Sequence, residues 1–413
     1  MCNCDNCFVY ILLHFEFDDD PKKLIDLMAK KVRKLKGGIF DKVFYQRDSC
    51  LGYNYYFRGM SDLDELLEFI GDVNGPILND EGLSEKIKLC DTMKMPNGGR
   101  GLMKVLICLE QTLKKNHYVI IFKFHHCLSD GKYLLDLISS GFGDGELEID
   151  IQKPPPRYNI WKKYIVDGYL TQGLKIDKDD NILRGYNLEE VKHFVFIYDD
   201  DNNNYINKIK HIKNKLNAAY LDVFNSCLAT SLYEYYKKMG ANIPKWIVTG
   251  TVQSPSYIED STNVLQNRFT AIHIKLPIQA DSVMERLDII KNNYEIIKKS
   301  LEIEFTYWLG QHVLIVLPNP IIYWTFSLMN ITAGISVMNM SRNIILFGKP
   351  IKTFIGFPPN SPGTGIHTVL TKYDEKLLLI LTVDRSVIEK YEDVKKLGNR
   401  IVFHIDELYK MIS

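Results

Sequence analysis

Apolar and polar positions change period several times along this chain, and each change marks an element. Phe8 to Phe17 is a nearly unbroken apolar run of strand length. Asp18-Asp-Asp-Pro21 then opens a helix, with Leu24, Leu27 and Met28 on one face and an end near Leu35. Asp41 to Phe57 alternates aromatic with polar residues, which predicts paired strands. A short helix is predicted over Ser61 to Ile70 and a strand over Leu102 to Leu109. Lys114-Lys-Asn-His117 reads as a hairpin turn into a second apolar strand, Tyr118 to Phe124. Leu134, Leu135 and Ile138 then share one face of a helix that begins near Lys132.

Periodicity lapses from Ser139 to Asn187, where Gly141-Phe-Gly-Asp-Gly145 and Pro154-Pro-Pro156 mark the end of one domain and a crossover. It resumes with a strand at Phe194 to Tyr198 and helices at Tyr205 to Leu216 and from Leu221 to Gly240. Strands at Trp246 to Val252 and Phe269 to Leu276 precede a helix at Met284 to Leu301. The last third predicts strands at Asn343 to Phe347, Ile366 to Tyr373 and Leu377 to Val383, and a helix after Asp406. Mixed strands and helices in two halves predict an α/β (α+β) fold of two domains, 1–150 and 191–413, joined by a crossover at 151–190.

One segment breaks the pattern. No Asp, Glu, Lys or Arg lies between Glu304 and Arg342. A spanning helix needs about 20 consecutive apolar residues, and Pro318 and Pro320 interrupt this one. It reads as a buried helix followed by a core strand. A wall for an acyl chain, or a patch resting on a bilayer, are the functional alternatives.

Composition narrows the field. In 413 residues, 51 basic and 51 acidic side chains balance, so nothing indicates a nucleic-acid footprint. Eight scattered cysteines in so long a chain point to a reducing compartment rather than a disulfide framework. Cys2, Cys4 and Cys7 lack a fourth ligand at metal-binding spacing, so free or lipidated thiols are expected and no metal. Nothing basic precedes the apolar run at Phe8 to Phe15, so no signal peptide is expected.

The candidate chemistry lies where the second strand ends, in His125-His126-Cys-Leu-Ser-Asp130-Gly131. Alternation puts Ile120, Phe122, Phe124 and His126 on one face, and Lys123 and His125 on the other, so the two histidines cannot share a role. An imidazole continuing an apolar face beyond the strand end would be kept neutral and basic. In the plainest reading the histidines are ordinary polar residues and Asp130 a helix N-cap.

The His-His-x-x-x-Asp-Gly spacing resembles the active-site motif of the chloramphenicol-acetyltransferase-like superfamily. Gln266-Asn267-Arg268-Phe269, Leu276-Pro277, the stretch around Gly348 and Pro350, and Gly365-Ile-His-Thr-Val-Leu resemble the wax ester synthase/diacylglycerol acyltransferase family. Where that family has an Asn-Asp pair, this chain has Leu221-Asp222. Its Asn-Val-Pro-Gly-Pro loop is reduced to Asn339-Met-Ser-Arg342. The resemblance implies two similar domains with a tunnel between them. It implies O-acyl transfer from acyl-CoA, as co-substrate, to a long-chain alcohol or diacylglycerol, without metal or other cofactor. His126 would be the general base and His125 a supporting residue. Asp130 would hold the turn, Gly131 would allow close backbone approach, and Asn339 would be an oxyanion donor. A membrane surface, on the cytosolic face of the endoplasmic reticulum or plasma membrane, is the expected setting. The alternatives are another CoA-dependent acyltransferase of the superfamily, or a lipid-binding or scaffolding relative with weakened catalysis.

Overall fold

The computed structural model describes residues 7–59, 63–145, 181–185, 188–189, 191–199, 203–253, 267, 269–300, 302–327, 331–340, 343–359 and 364–413. The expected crossover with its proline triplet falls almost wholly outside these residues, as do Gln266, Arg268 and Ser341-Arg342.

The first half contributes β1 (Phe8–Glu16), β2 (Tyr45–Cys50), β3 (Tyr53–Arg58), β4 (Leu67–Ile70), β5 (Met103–Cys108) and β6 (His117–His125). The second contributes β7 (Lys192–Tyr198), β8 (Trp246–Gln253), β9 (Thr270–Pro277), β10 (Ala333–Asn339), β11 (Ile345–Leu346), β12 (Lys349–Pro350), β13 (Thr353–Phe357), β14 (Ile366–Tyr373) and β15 (Lys376–Asp384). Two large sheets result, in the orders β13-β1-β6-β5-β4 and β7-β15-β14-β10-β8-β9.

Strands β1 and β6 sit inside the first sheet with both faces covered, which is why they are continuous apolar runs rather than alternating ones. Lys123 is the exception. Its ammonium donates to the carbonyls of Cys90 at 2.7 Å and Met93 at 2.8 Å, at the end of the helix Asp80–Thr92, and lies over the Phe8 ring. A buried cation there satisfies orphan helix carbonyls.

The second sheet has two different faces. Ile335, Leu379 and Leu381 pack with Phe224, Leu287 and Ile401 from the helices Tyr220–Lys238, Val283–Lys299 and Tyr391–Ile412. Met338, Val369, Ile380 and Phe194 turn the other way, into one core with Phe124, Leu128 and Phe142. Strand alternation thus divides one sheet between two cores, and the face with Met338 joins the halves.

Several expectations need correction. Strand β13, from the second half, pairs antiparallel with β1, Leu12 opposite Ile355, as the edge of the first sheet. That pairing satisfies an edge that β1 would otherwise expose. The helix predicted over Ser61 to Ile70 is one turn, Leu63–Leu66, followed by β4, which pairs with β5 at Leu67 and Val105. Sheet pairing and burial of Leu67 and Ile70 override local helix propensity. The final helix starts at Tyr391, well before Asp406, with Val394, Leu397, Ile401, Ile405 and Leu408 inward. The strand expected at Asn343 to Phe347 shrinks to Ile345–Leu346, because Phe347 and Gly348 turn at positive φ into β12.

The uncharged segment departs furthest. It forms short helices, Glu302–His312 and Asn319–Ser327, with a single tight turn at Leu314–Val316 between them. No residue of the first helix is buried. Val316 is 60% and Trp324 64% exposed. Strand Ala333–Asn339 enters the core as expected. Pro318, which lacks an N–H, separates the helices. Among the described residues, no helix is long and apolar enough to cross a membrane.

Candidate active site

Strand β6 ends at His125, and one further ladder bond, from the His126 N–H to the Cys7 carbonyl (2.8 Å), anchors the next residue. The chain then turns: the Leu128 N–H donates to the His125 carbonyl, and Lys42 Nζ donates to the Leu128 carbonyl at 3.0 Å. His125 is buried; its Nδ1 accepts from the Cys127 N–H at 3.3 Å, and its ring meets Phe8 edge-on. Asp130 is buried and caps the helix Gly131–Asp136, its carboxylate accepting from the Tyr133 N–H at 3.2 Å. These contacts fix the backbone on both sides of His126.

The second half closes on His126. Asn267 Nδ2 donates to the His126 carbonyl at 2.9 Å, and the Phe269 ring lies 5.3 Å from the imidazole. The imidazole is half-buried. Burial lowers its pKa below the ordinary histidine value of 6.5, offset in part by its own carbonyl, the Asp130 charge and the Asn267 amide. A neutral imidazole is chemically a proton acceptor near pH 7.

Gly131 packs against the opposite half: a Cβ there would stand 2.8 Å from Met338 Cε. Met338 and Asn339 are neighbours on β10 and so point to opposite faces. Asn339 is exposed and lies on the face away from Gly131. The structure therefore brings His126, His125, Asp130 and Gly131 together and leaves Asn339 outside.

Sequence reasoning gave no role to Asn267, Phe269 or His367. His367, on β14, is buried, with Nε2 3.0 Å from Ser336 Oγ. Burial, and the neighbouring His126, hold its pKa at about 4. No local signal marks it, because it lies in an apolar strand and meets Ser336 only across the sheet. Among the described residues, no group of three or more His, Cys, Asp or Glu side chains could hold a metal ion.

The two large sheets and their flanking helices form a mixed α/β fold, and comparison with solved structures agrees. The wax ester synthase/diacylglycerol acyltransferase from Marinobacter aquaeolei VT8 superposes with a TM-score of 0.64 at 16% identity, covering 97% of this chain and 94% of that one. The TRI3 trichothecene 15-O-acetyltransferase from Fusarium sporotrichioides gives 0.66 at 11% identity, covering 98% and 90%. The first condensation domain of the CDA synthetase gives 0.65 at 12%, covering 98% and 91%. Residues 265–408 match the family model described as the WS/DGAT C-terminal domain. Residues 265–408 are therefore similar to that domain, and the chain as a whole shares the fold of these solved structures. No curated protein matches the chain.

Proposed function

We propose that this protein is an acyl-CoA-dependent O-acyltransferase that esterifies a long-chain alcohol, diacylglycerol, or both. The observation that carries the reading is the setting of His126. It is a neutral imidazole at a strand end, its carbonyl held by Asn267 and its ring flanked by Phe269. Nε2 takes the hydroxyl proton as the alcohol oxygen attacks the thioester carbon. The carbonyl π electrons move onto oxygen. Collapse of the tetrahedral species breaks the carbon–sulfur bond, and the imidazolium returns its proton to the departing thiolate. This exchange of thioester for ester needs no metal or redox cofactor.

The exposed apolar surface supports a bilayer as the setting. The β2–β3 hairpin, with Leu51 90% exposed, meets the Asn319 helix through a bond from the Asn319 N–H to the Gly52 carbonyl at 2.7 Å. Leu51 and Tyr53 on one of the joined segments and Val316 and Trp324 beside the other are all exposed. Liposome flotation tests it: Trp324→Ala combined with Leu51→Ser should reduce co-flotation.

The decisive assay supplies labelled palmitoyl-CoA with hexadecanol or dipalmitoylglycerol. Ester formation by the native protein, lost in a folded His126→Ala protein, supports the reading and names the acceptor. Acyl-CoA binding without turnover would overturn it in favour of a lipid-binding relative.

A further inference from the structure

Strand register aligns one row of residues across the second sheet: His273, Gly250, Gly334, His367 and Thr382, on β9, β8, β10, β14 and β15. Gly334 shares its face of β10 with Ser336 and Met338, the face that joins the halves. The row therefore looks toward the first half. Gly334 leaves room that the His367 ring occupies, since a Cβ there would lie 2.5 Å from His367 Nδ1. A side chain at residue 334 would expel the imidazole.

The hydrogen bonding of His367 is incomplete. Nε2 meets Ser336 Oγ at 3.0 Å, while Nδ1 is buried with no partner. Beside it on the row, Thr382 Oγ1 is also buried without one. The tautomer follows from counting orphans. If Ser336 donates to Nε2, only an Nδ1–H is left over. If Nε2–H donates instead, both the serine proton and the Nδ1 lone pair are stranded. Each stranded buried polar group costs about 1–3 kcal/mol, so the first arrangement holds. His367 thus presents an N–H, from the half opposite His126, that no described residue accepts.

We propose that His367, set in its Nδ1–H tautomer by Ser336, is a further catalytic residue whose N–H donates to the thioester carbonyl oxygen and to the oxyanion that forms there. The inference rests on the acyl-transfer reading and takes the role that the sequence suggested for Asn339. Asn339 is exposed and faces away, whereas His367 is buried on the sheet face that joins the halves. A donor that stays neutral does not compete with His126 for the transferred proton, and the thioester carbonyl meets the Nδ1–H as bound substrate parts the packing over it. In the balanced step the alcohol O–H bond breaks toward His126, the new carbon–oxygen bond forms, and the carbonyl electron pair rests against the His367 N–H. The pair returns as the carbon–sulfur bond breaks.

The test uses the full chain. His367→Ala should lower kcat by about 10²–10³ while the KM for palmitoyl-CoA changes less than about threefold, as for loss of an oxyanion donor. His367→Asn, which keeps an N–H donor, should recover part of the loss, and Ser336→Ala should lie between. A folded His367→Ala protein with kcat within threefold of native would overturn this proposal alone. A second readout does not depend on the variants folding: imidazole ¹⁵N NMR of the native protein. The His367 Nδ1–H resonance should shift when the ketone analogue of palmitoyl-CoA, with methylene in place of sulfur, binds, and stay put with coenzyme A alone. An unmoved resonance with the analogue bound sinks the proposal. A native protein that neither turns over nor binds the analogue removes the acyltransferase reading and this inference together.

Discussion

The side-chain amide of Asn267 donates to the main-chain carbonyl of His126 at 2.9 Å, across the seam between the two halves. A residue of the second half thus helps to hold in place the backbone of a base carried by the first. Asn267→Ala should cost about 1 kcal/mol of stability, the net worth of an ordinary hydrogen bond. It should lower kcat by about 10- to 100-fold, because the ring loses its fixed orientation. Steady-state kinetics beside a thermal melt check this; an unchanged kcat would show that the seam does not position the base.

Catalysis should depend on pH with one acid limb. The His126 pKa lies below 6.5 because burial disfavours the cation. The neutral base therefore persists to lower pH than in a free histidine. Activity should rise through an inflection under 6.5 and stay level to about pH 8. The Asp130 charge raises that pKa, so Asp130→Asn should move the inflection further down. Asp130→Ala should also lose the N-cap, at about 1 kcal/mol. An inflection moving up in Asp130→Asn would contradict the electrostatic assignment.

Acid should also loosen the fold. The His367 pKa is held at about 4, against 6.5 in an unfolded chain. His14 is held at about 4 as well, by burial and by the His117 charge. Below 6.5 the unfolded state takes protons that the native state refuses, so stability is whole above that pH and falls as pH drops toward 4. For His367 the difference converts to on the order of 3 kcal/mol at 1.36 kcal/mol per unit. Chemical denaturation from pH 7.5 to 4.5 should show the decline, and His367→Asn should make it shallower. Equal slopes in the two proteins would mean that the ring protonates freely in the native state.

How much of this was legible in the sequence depended on the range of the interaction. Strands β1, β6, β14 and β15 were readable because burial on both faces or regular alternation leaves a local pattern. The turn from His125 to Gly131 was readable because its polar residues are consecutive. What stayed hidden depends on partners far along the chain. The edge strand β13 declares no allegiance to β1 in its own five residues. Leu67 to Ile70 suits a helix until β5 offers a ladder. His367 lies 31 positions from Ser336, and only sheet register brings the two together. Asn267 and Phe269 carry part of the resemblance, yet nothing local to them says that they meet His126. The uncharged stretch from Phe305 to Ser341 misled because lack of charge does not distinguish a buried helix from an apolar surface.

Gly131 and Met338 meet where the two halves touch. No positive φ requires glycine at residue 131; the requirement is space, since a Cβ would stand 2.8 Å from Met338 Cε. That atom is the end of a flexible side chain, so Gly131→Ala should be tolerated at about 1–2 kcal/mol, as for modest overpacking. Met338 is also tightly placed against Gly356 of β13, so it yields by shifting β10 relative to the histidine turn. Activity should therefore fall more than stability does, by about tenfold in kcat. Met338→Ala relieves the clash and should restore most of that loss when combined with Gly131→Ala. A double-mutant cycle should then give a coupling of at least about 0.5 kcal/mol in transition-state free energy, the mark of residues in direct contact. Strict additivity would mean that the two halves do not meet there under turnover.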